Sequence, residues 1–262
     1  MHIMNQMKNL YRFRELVWIW TLREIKIRYK QSILGGAWAI LQPFSLMLIL
    51  SIVFTWFLDM PTEGIPYPIF SYTALLPWTF LATSISFATG SIVGNMNLVT
   101  KIYFPREIIP LSTIIAGFID FLIASIVLFA MMLVYQIPLR PTLLFLPVIL
   151  SIQIVLTFGL VLYVSSINVF YRDFRFIVPV ALQLWLYATP VIYPVSVVPE
   201  QFLGIYMLNP MASLIDAYRR VVLSGQPPQW NYLGISAVIS LVIFVFAYRY
   251  FKQVEWKFAD LI

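Results

Sequence analysis

The stretch IIPLSTIIAGFIDFLIASIVLFAMMLVYQ, residues 108–136, carries one charged side chain, Asp120, and is long enough to cross a bilayer as a helix. Outward from it lie five more apolar stretches, at 36–58, 69–94, 143–168, 177–194 and 231–250. A helix needs about 20 apolar residues to span the hydrocarbon, and each stretch approaches or exceeds that length. The 262-residue chain is 61% hydrophobic and 11% charged, with a mean hydropathy of +0.87. That leaves too little polar surface for a soluble domain. The expected fold is all-α and polytopic, with six transmembrane helices and no separate aqueous core.

Charge sets the orientation. With both termini on one side, fourteen of the seventeen Lys and Arg residues fall in 1–35, 95–107, 169–176 and 249–262, and only Arg140, Arg219 and Arg220 face the other side. The positive-inside rule then makes both termini cytoplasmic. The net charge of +6 is explained by this bias, and no nucleic-acid partner is implied. The first 30 residues interleave charges with apolar groups, so no cleavable signal is expected and the first span serves for insertion.

Before that span, Met7, Tyr11, Trp18, Leu22, Ile25 and Tyr29 recur at helical steps, with Lys8, Arg12, Arg23, Lys26 and Lys30 on a neighbouring face. Residues 1–35 therefore read as a cytoplasmic amphipathic helix in the membrane interface, a lipid anchor or a docking element. Residues 36–262 form the six-span domain. Between spans five and six, the segment 196–226 is too polar for two spans and too apolar for a loop, so it is expected to re-enter the membrane from outside. Asn209 followed by Pro210 marks a helix start and Gly225 a stop, giving a helix over 210–224. Met211, Leu214, Ile215, Tyr218 and Val222 share one side of it, and Asp216 and Arg220 form an i,i+4 pair. Such a hairpin needs protein or water around its backbone ends, which makes it a candidate gate.

Catalytic patterns are absent from the sequence. It has no Walker loop, no metalloprotease or hydrolase motif, no cysteine, and one histidine, His2, in the terminus. No metal site and no enzymatic role are expected, and any ATP must act on another chain. Asp120 is the one acid deep in a span, where an uncompensated carboxylate is costly, so it is either hydrogen-bonded between helices or a gating residue. Aromatic residues make up 17% of the chain, and Trp38, Trp56, Phe80, Phe87, Trp185, Tyr187 and Tyr193 fall within spans. Interfacial belts account for such residues, as does a row of ring faces over which a glycan slides.

Four motifs occur in order: RYKQSILGGAWAILQP at 28–43, NLVTKIYFPREIIP at 97–110, FYRDF at 170–174, and LNP at 208–210 with AYR at 217–219. Together they resemble the permease subunits of bacterial ATP-binding-cassette polysaccharide exporters, which carry O-antigen, teichoic acid or capsule. The resemblance implies a coupling helix near 97–106 that meets the ATPase through Asn97, Lys101, Phe104, Pro105 and Arg106, with Glu107 and Pro110 at the entry to span three. It implies a second ATPase contact at Tyr171, Arg172 and Asp173. Gate helices over 196–226 would include Asn209, Pro210, Asp216, Tyr218, Arg219 and Arg220. Near Gln31, the cations Lys26, Arg28 and Lys30 would attract the diphosphate of a polyprenyl-linked glycan, or simply set topology and bind anionic lipid. Trp38, Trp56, Phe87, Trp185, Tyr187 and Tyr193 would line the channel. Two copies would pair with two ATPase subunits that hold ATP and Mg, in the bacterial inner membrane. A drug or lipid exporter is the nearest alternative. An ion-coupled transporter would ordinarily show more intramembrane acids than Asp120 alone.

Overall fold

The computed structural model describes residues 13–30, 32–58, 60–62, 64–101 and 104–259, with only the backbone of Lys101 and Ala259. His2, Met7, Lys8, Tyr11, Arg12, Gln31 and the side chain of Lys101, all singled out above, lie outside what is described. Among the described residues every regular element is helical. Helix α1 spans Arg14–Tyr29, and α2 (Trp38–Ile52) follows a short 3₁₀ turn and ends in a π turn at Val53–Phe57. Then come α3 (Tyr67–Thr89), the short α4 (Met96–Lys101), α5 (Ile108–Val134) and α6 (Leu146–Phe170). They are followed by α7 (Phe174–Tyr187), α8 (Glu200–Tyr206), α9 (Pro210–Arg219) and α10 (Trp230–Val254).

Among the described residues, four helical segments are long and apolar enough to cross a membrane: Gly35–Phe57, Ile108–Val134, Pro141–Phe170 and Trp230–Phe258. Tyr67–Thr89 and Val93–Thr100, bent by 52° at the break between them, add a fifth if the two count as one span. The expected fifth span, 177–194, is corrected: its helix is only 14 residues long. That length rises about 21 Å, short of the roughly 30 Å of hydrocarbon. Turns and bends over 188–193 replace the rest of the span, because Pro190 has no N–H with which to continue the helix, and the chain folds back into α8 and α9.

Helix α3 lies at the centre, against α2, α5, α6, α7 and α9. Its hydroxyls suit that place because they satisfy themselves: Thr73 donates to the Ile69 carbonyl and Thr89 to the Ile85 carbonyl, at 2.7 and 2.8 Å. Small, self-satisfied side chains let helices pack closely where no water is available. Another close approach joins α6 to α10 at Gly159, where an added Cβ would stand 2.8 Å from the Phe244 Cα and 2.9 Å from its N. Gly159→Leu is therefore expected to push α10 off α6 and destabilise the chain by about 1–3 kcal/mol. Thermal unfolding in detergent checks this, and an unchanged midpoint would refute it.

The four basic connections meet at one end of the bundle. Trp20, Met96, Val99, Phe104, Phe251 and Phe258 belong to one apolar cluster there, and Phe170 stacks edge-on against Phe258. At the opposite end, Tyr67, Phe70, Met132, Val222 and Leu223 form a smaller cluster. The first is called the basic end below and the second the far end.

Candidate functional site

Helix α1 departs from the expected amphipathic pattern. Its inward face carries Trp20, Thr21 and Glu24, all buried, and then Arg28, whose side chain is 3% exposed. Trp18, Ile19, Leu22 and Ile27 look outward instead. Burial pushes Glu24 above the usual carboxylate range, and the nearby Arg28 and Arg23 pull it back. The reason for the inverted face lies on α5, against which α1 packs. Arg28 Nη1 donates to Asp120 Oδ2 at 2.9 Å, its Nη2 to the Thr113 carbonyl at 2.9 Å, and Tyr29 Oη to Asp120 Oδ1 at 2.7 Å. The guanidinium also lies over the Phe87 ring, 4.1 Å from its centre. Asp120 sits twelve residues into α5, about 18 Å along its axis. The lone intramembrane acid is thus paired, and Arg28 is engaged with it, unlike the exposed Lys26 and Lys30.

Arg28, Tyr29, Trp38, Gln42, Thr83, Phe87 and Asp120 are among the residues that wall a cavity of about 210 Å³ between α1, α2, α3 and α5. Trp38 and Phe87 are half exposed there, whereas Trp56, at the other end of α2, is 80% exposed. An open groove runs along the outer side of α1, bordered by Ile19, Leu22, Ile25 and Ile27 together with Arg23, Lys26 and Lys30.

At the basic end the motif 97–110 divides into anchored and free residues. Phe104 is buried and stacks on Trp20 with ring centres 6.0 Å apart. Arg23 Nη1 donates to Asn95 Oδ1 at 2.6 Å, so α1 is tied to the start of α4. Arg106 donates to the Glu255 carbonyl, and buried Glu107 pairs with Lys252, which also reaches Glu255 at 3.2 Å. These residues fasten the segment to α10, and Pro105 between them is half-buried. Asn97 and Thr100 on α4 are exposed, as are Tyr171, Arg172 and Asp173 between α6 and α7.

At the far end Asn209 caps α9 as its position suggested, accepting from the Met211 N–H at 3.1 Å. It does more: Trp185 Nε1 donates to its Oδ1 at 3.0 Å, and its Nδ2 donates to Thr189 Oγ1 at 2.9 Å. Pro210 occupies the first turn, and Met211, Leu214, Ile215, Tyr218 and Val222 are all buried. The α-helix ends at Arg219, and a π turn, Arg220–Ser224, completes the expected length. Gly225 closes it with φ 65°, and an added Cβ there would run into the Arg140 side chain. Arg220 donates to the Pro227 carbonyl at 3.1 Å, and together with Asp216, Glu200 and Gln226 it borders a cavity at this end.

Arg219 is buried and donates to the carbonyls of Pro190, Val191 and Tyr193 at 2.6, 2.7 and 3.1 Å, and to that of Phe70 at 3.3 Å. Tyr193 Oη donates to the Tyr187 carbonyl at 2.9 Å and meets Tyr206 Oη at 3.0 Å. Tyr187 itself is exposed. The sequence reading passed over Gln153, which receives the Tyr218 hydroxyl at 2.7 Å and donates to the Pro77 carbonyl at 2.7 Å. An amide within an apolar span was the signal for it. Helix α9 is thereby bonded to α6 and, through Gln153, to α3.

The arrangement is a helical membrane unit with a cavity beside α1 that holds an ion pair in a largely apolar wall, exposed polar residues at its basic end, and at its far end a buried α9 behind an exposed α8. The family model for the ABC-2 type transporter matches residues 15–223, most of the chain. The chain belongs to the ABC-2 type transporter family. Within this family it is similar to the O-antigen export system permease protein RfbA of Myxococcus xanthus, at 32% identity over 97% of this chain and 98% of that one. A second relative is the O-antigen export system permease protein RfbA of Klebsiella pneumoniae, 30% identical over 97% of each chain. The polysialic acid transport protein KpsM of Escherichia coli is 26% identical over 87% of this chain and 90% of its own length. These relatives of the ABC-2 transporter are named for transport and not for catalysis, in accord with a sequence lacking catalytic motifs.

Proposed function

We propose that this chain is the channel-forming permease half of an ATP-driven exporter that moves polyprenyl-diphosphate-linked polysaccharide of the O-antigen type across the bacterial inner membrane. The observation that carries the reading is the end-to-end similarity to O-antigen export permeases. In this reading two copies enclose a pathway and two copies of an ABC ATPase, holding ATP and Mg, sit beneath them. Each copy contributes six spans, with α7 completed by the α8–α9 hairpin on the outer side. Both termini and the basic end face the cytoplasm, which the placement of fourteen of the seventeen cations supports.

The ATPase is met by the exposed side of α4, through Asn97, Thr100 and Lys101, and by Tyr171, Arg172 and Asp173. Phe104, Arg106 and Glu107 act behind that surface, holding it to α1 and α10 so that displacement of α4 reaches the spans. The diphosphate is drawn to Lys26 and Lys30, whose groove combines cations with apolar side chains as a lipid diphosphate does. The exposed aromatic rings, Trp38 and Tyr187 among them, guide the polymer, and the α8–α9 hairpin gates its exit.

Mass spectrometry of what copurifies stoichiometrically with the tagged chain in mild detergent tests the proposal. The expected result is an ABC ATPase together with a polyprenyl-diphosphate glycan. An ATPase accompanied by another lipid, or by no glycan, would turn the reading toward a drug or lipid exporter. The absence of any ATPase would overturn it.

A further inference from the structure

Apart from Trp38, the lining of the cavity beside α1 takes no part in the roles above. Its charge is balanced, since Asp120 is paired with Arg28, whose side chain is 3% exposed. The pairing still leaves bonding capacity. Asp120 remains 19% exposed and a carboxylate has more lone pairs than its two present donors occupy. Arg28 Nε is buried and has no partner among the described residues. Thr79 and Thr83 give their hydroxyl hydrogens to the Leu76 and Thr79 carbonyls at 2.9 and 2.7 Å, so their oxygens face the cavity only as acceptors. Gln42 adds an amide from α2, and Trp38 presents a half-exposed ring.

Each alternative ligand class meets an objection. A phosphate would be repelled by Asp120, and the one cation that could answer it is already neutralised. An acyl chain would set the Gln42 amide and the remaining acceptor positions of Asp120, Thr79 and Thr83 against hydrocarbon, where nothing answers them. A neutral polyol with one apolar face suits the set: its hydroxyls both donate and accept, and its C–H face stacks on an indole. Position narrows the choice further. Tyr29 borders both this cavity and the groove of Lys26 and Lys30 on the outer side of α1.

We propose that this cavity is a sugar-binding subsite that takes the monosaccharide bonded directly to the lipid diphosphate, with Asp120, Gln42 and Thr83 on its hydroxyls and Trp38 against its face. The assignment rests on the exporter reading above. It divides recognition of the lipid-linked substrate in two, the diphosphate on α1's outer cations and the first sugar inside the bundle. Sequence variation at Gln42 or Thr83 would then alter which first sugar is accepted.

The test uses the full chain with its copurified ATPase in nanodiscs and two probes, a short-chain prenyl diphosphate and the same lipid carrying one hexose. Wild-type protein is expected to bind the sugar-bearing lipid about tenfold more tightly, the scale of one or two net hydrogen bonds. In Gln42→Ala/Thr83→Val that preference is expected to vanish, and in the milder Gln42→Ala to shrink. Lys26→Ala/Lys30→Ala should weaken both lipids alike and keep the preference. Equal binding of the two lipids by wild type, or an undiminished preference in both cavity variants, would overturn the subsite while leaving the exporter reading in place. Wild-type protein that binds neither lipid would overturn both.

Discussion

Asp120→Ala is expected to produce the largest loss of folded protein of any single substitution in the bundle. The change strips a nearly buried guanidinium of its only ion-pair partner among the described residues and leaves it the Thr113 carbonyl and the Phe87 ring. Breaking a buried pair from one side costs about 3–5 kcal/mol, against a total stability of roughly 5–15 kcal/mol for an ordinary domain. The Tyr29 hydroxyl loses its acceptor in the same step. With α1 released from α5, its ties to Asn95 and Phe104 at the basic end are expected to loosen as well. Asp120→Asn should do less harm because it keeps the shape and an acceptor for Tyr29. The double change Arg28→Met/Asp120→Leu should recover stability, since no charge is left to compensate, yet fail in export because the cavity has lost its charged pair. Unfolding midpoints and monodispersity in detergent measure the series. An Asp120→Ala protein as stable as wild type would show that the pair does not seat α1.

The second large effect is expected from Arg219→Ala. One side chain there satisfies four backbone carbonyls, three from the turn after α7 and one from α3. Each buried polar group left without a partner costs about 1–3 kcal/mol. Those of the turn lie where no regular helix supplies N–H donors, so the α8–α9 hairpin should lose its seat on α3. Arg219→Lys should not rescue it, because a single ammonium cannot reach both elements and stack on Phe70 as the planar guanidinium does, 3.6 Å from the ring centre. The chain has no cysteine, so a single Ser213→Cys, at a buried position of α9, provides a clean reporter. Its labelling by a membrane-impermeant maleimide is expected to quicken about tenfold when Arg219 is removed, the change that accompanies a loss of about 1.4 kcal/mol from local closure. Unaltered labelling would mean that the hairpin is held by its apolar packing alone.

Both residues were visible in the sequence, and for Asp120 a hydrogen bond between helices was one of the two readings, but neither its partner nor the role of Arg219 was legible. Asp120 stood out because a carboxylate in an apolar run must find a partner, but seven Lys and Arg residues precede the first span and spacing alone does not choose among them. The choice of Arg28 depends on α1 packing along α5 with its polar stripe inward, a pairing between positions 92 residues apart. The cap at Asn209 was legible because capping is local: the side chain bonds a backbone N–H two residues on. Its further bonds to Trp185 and Thr189 were not, since they join separate elements. The same distinction runs through the motif 97–110. Its sequence suggested a coupling surface, and only packing separates outward Asn97 from Phe104, Arg106 and Glu107, which are spent on holding the segment in place.

Composition and periodicity by themselves determined that this chain is a helical membrane protein, where its apolar segments fall, where α9 starts, and where the helical run that includes its π turn stops. They could do so because hydrocarbon imposes its length and polarity limits on each segment separately, and because caps act within one turn. Tertiary structure decided that α7 is too short to be an ordinary span, that α1 turns Glu24 and Arg28 inward, and that the lone acid, the Gln153–Tyr218 bond and the Arg219 cradle join helices distant in sequence. These outcomes depend on which buried polar group finds which partner once water is excluded. That matching is a property of the packed bundle and not of any one of its helices.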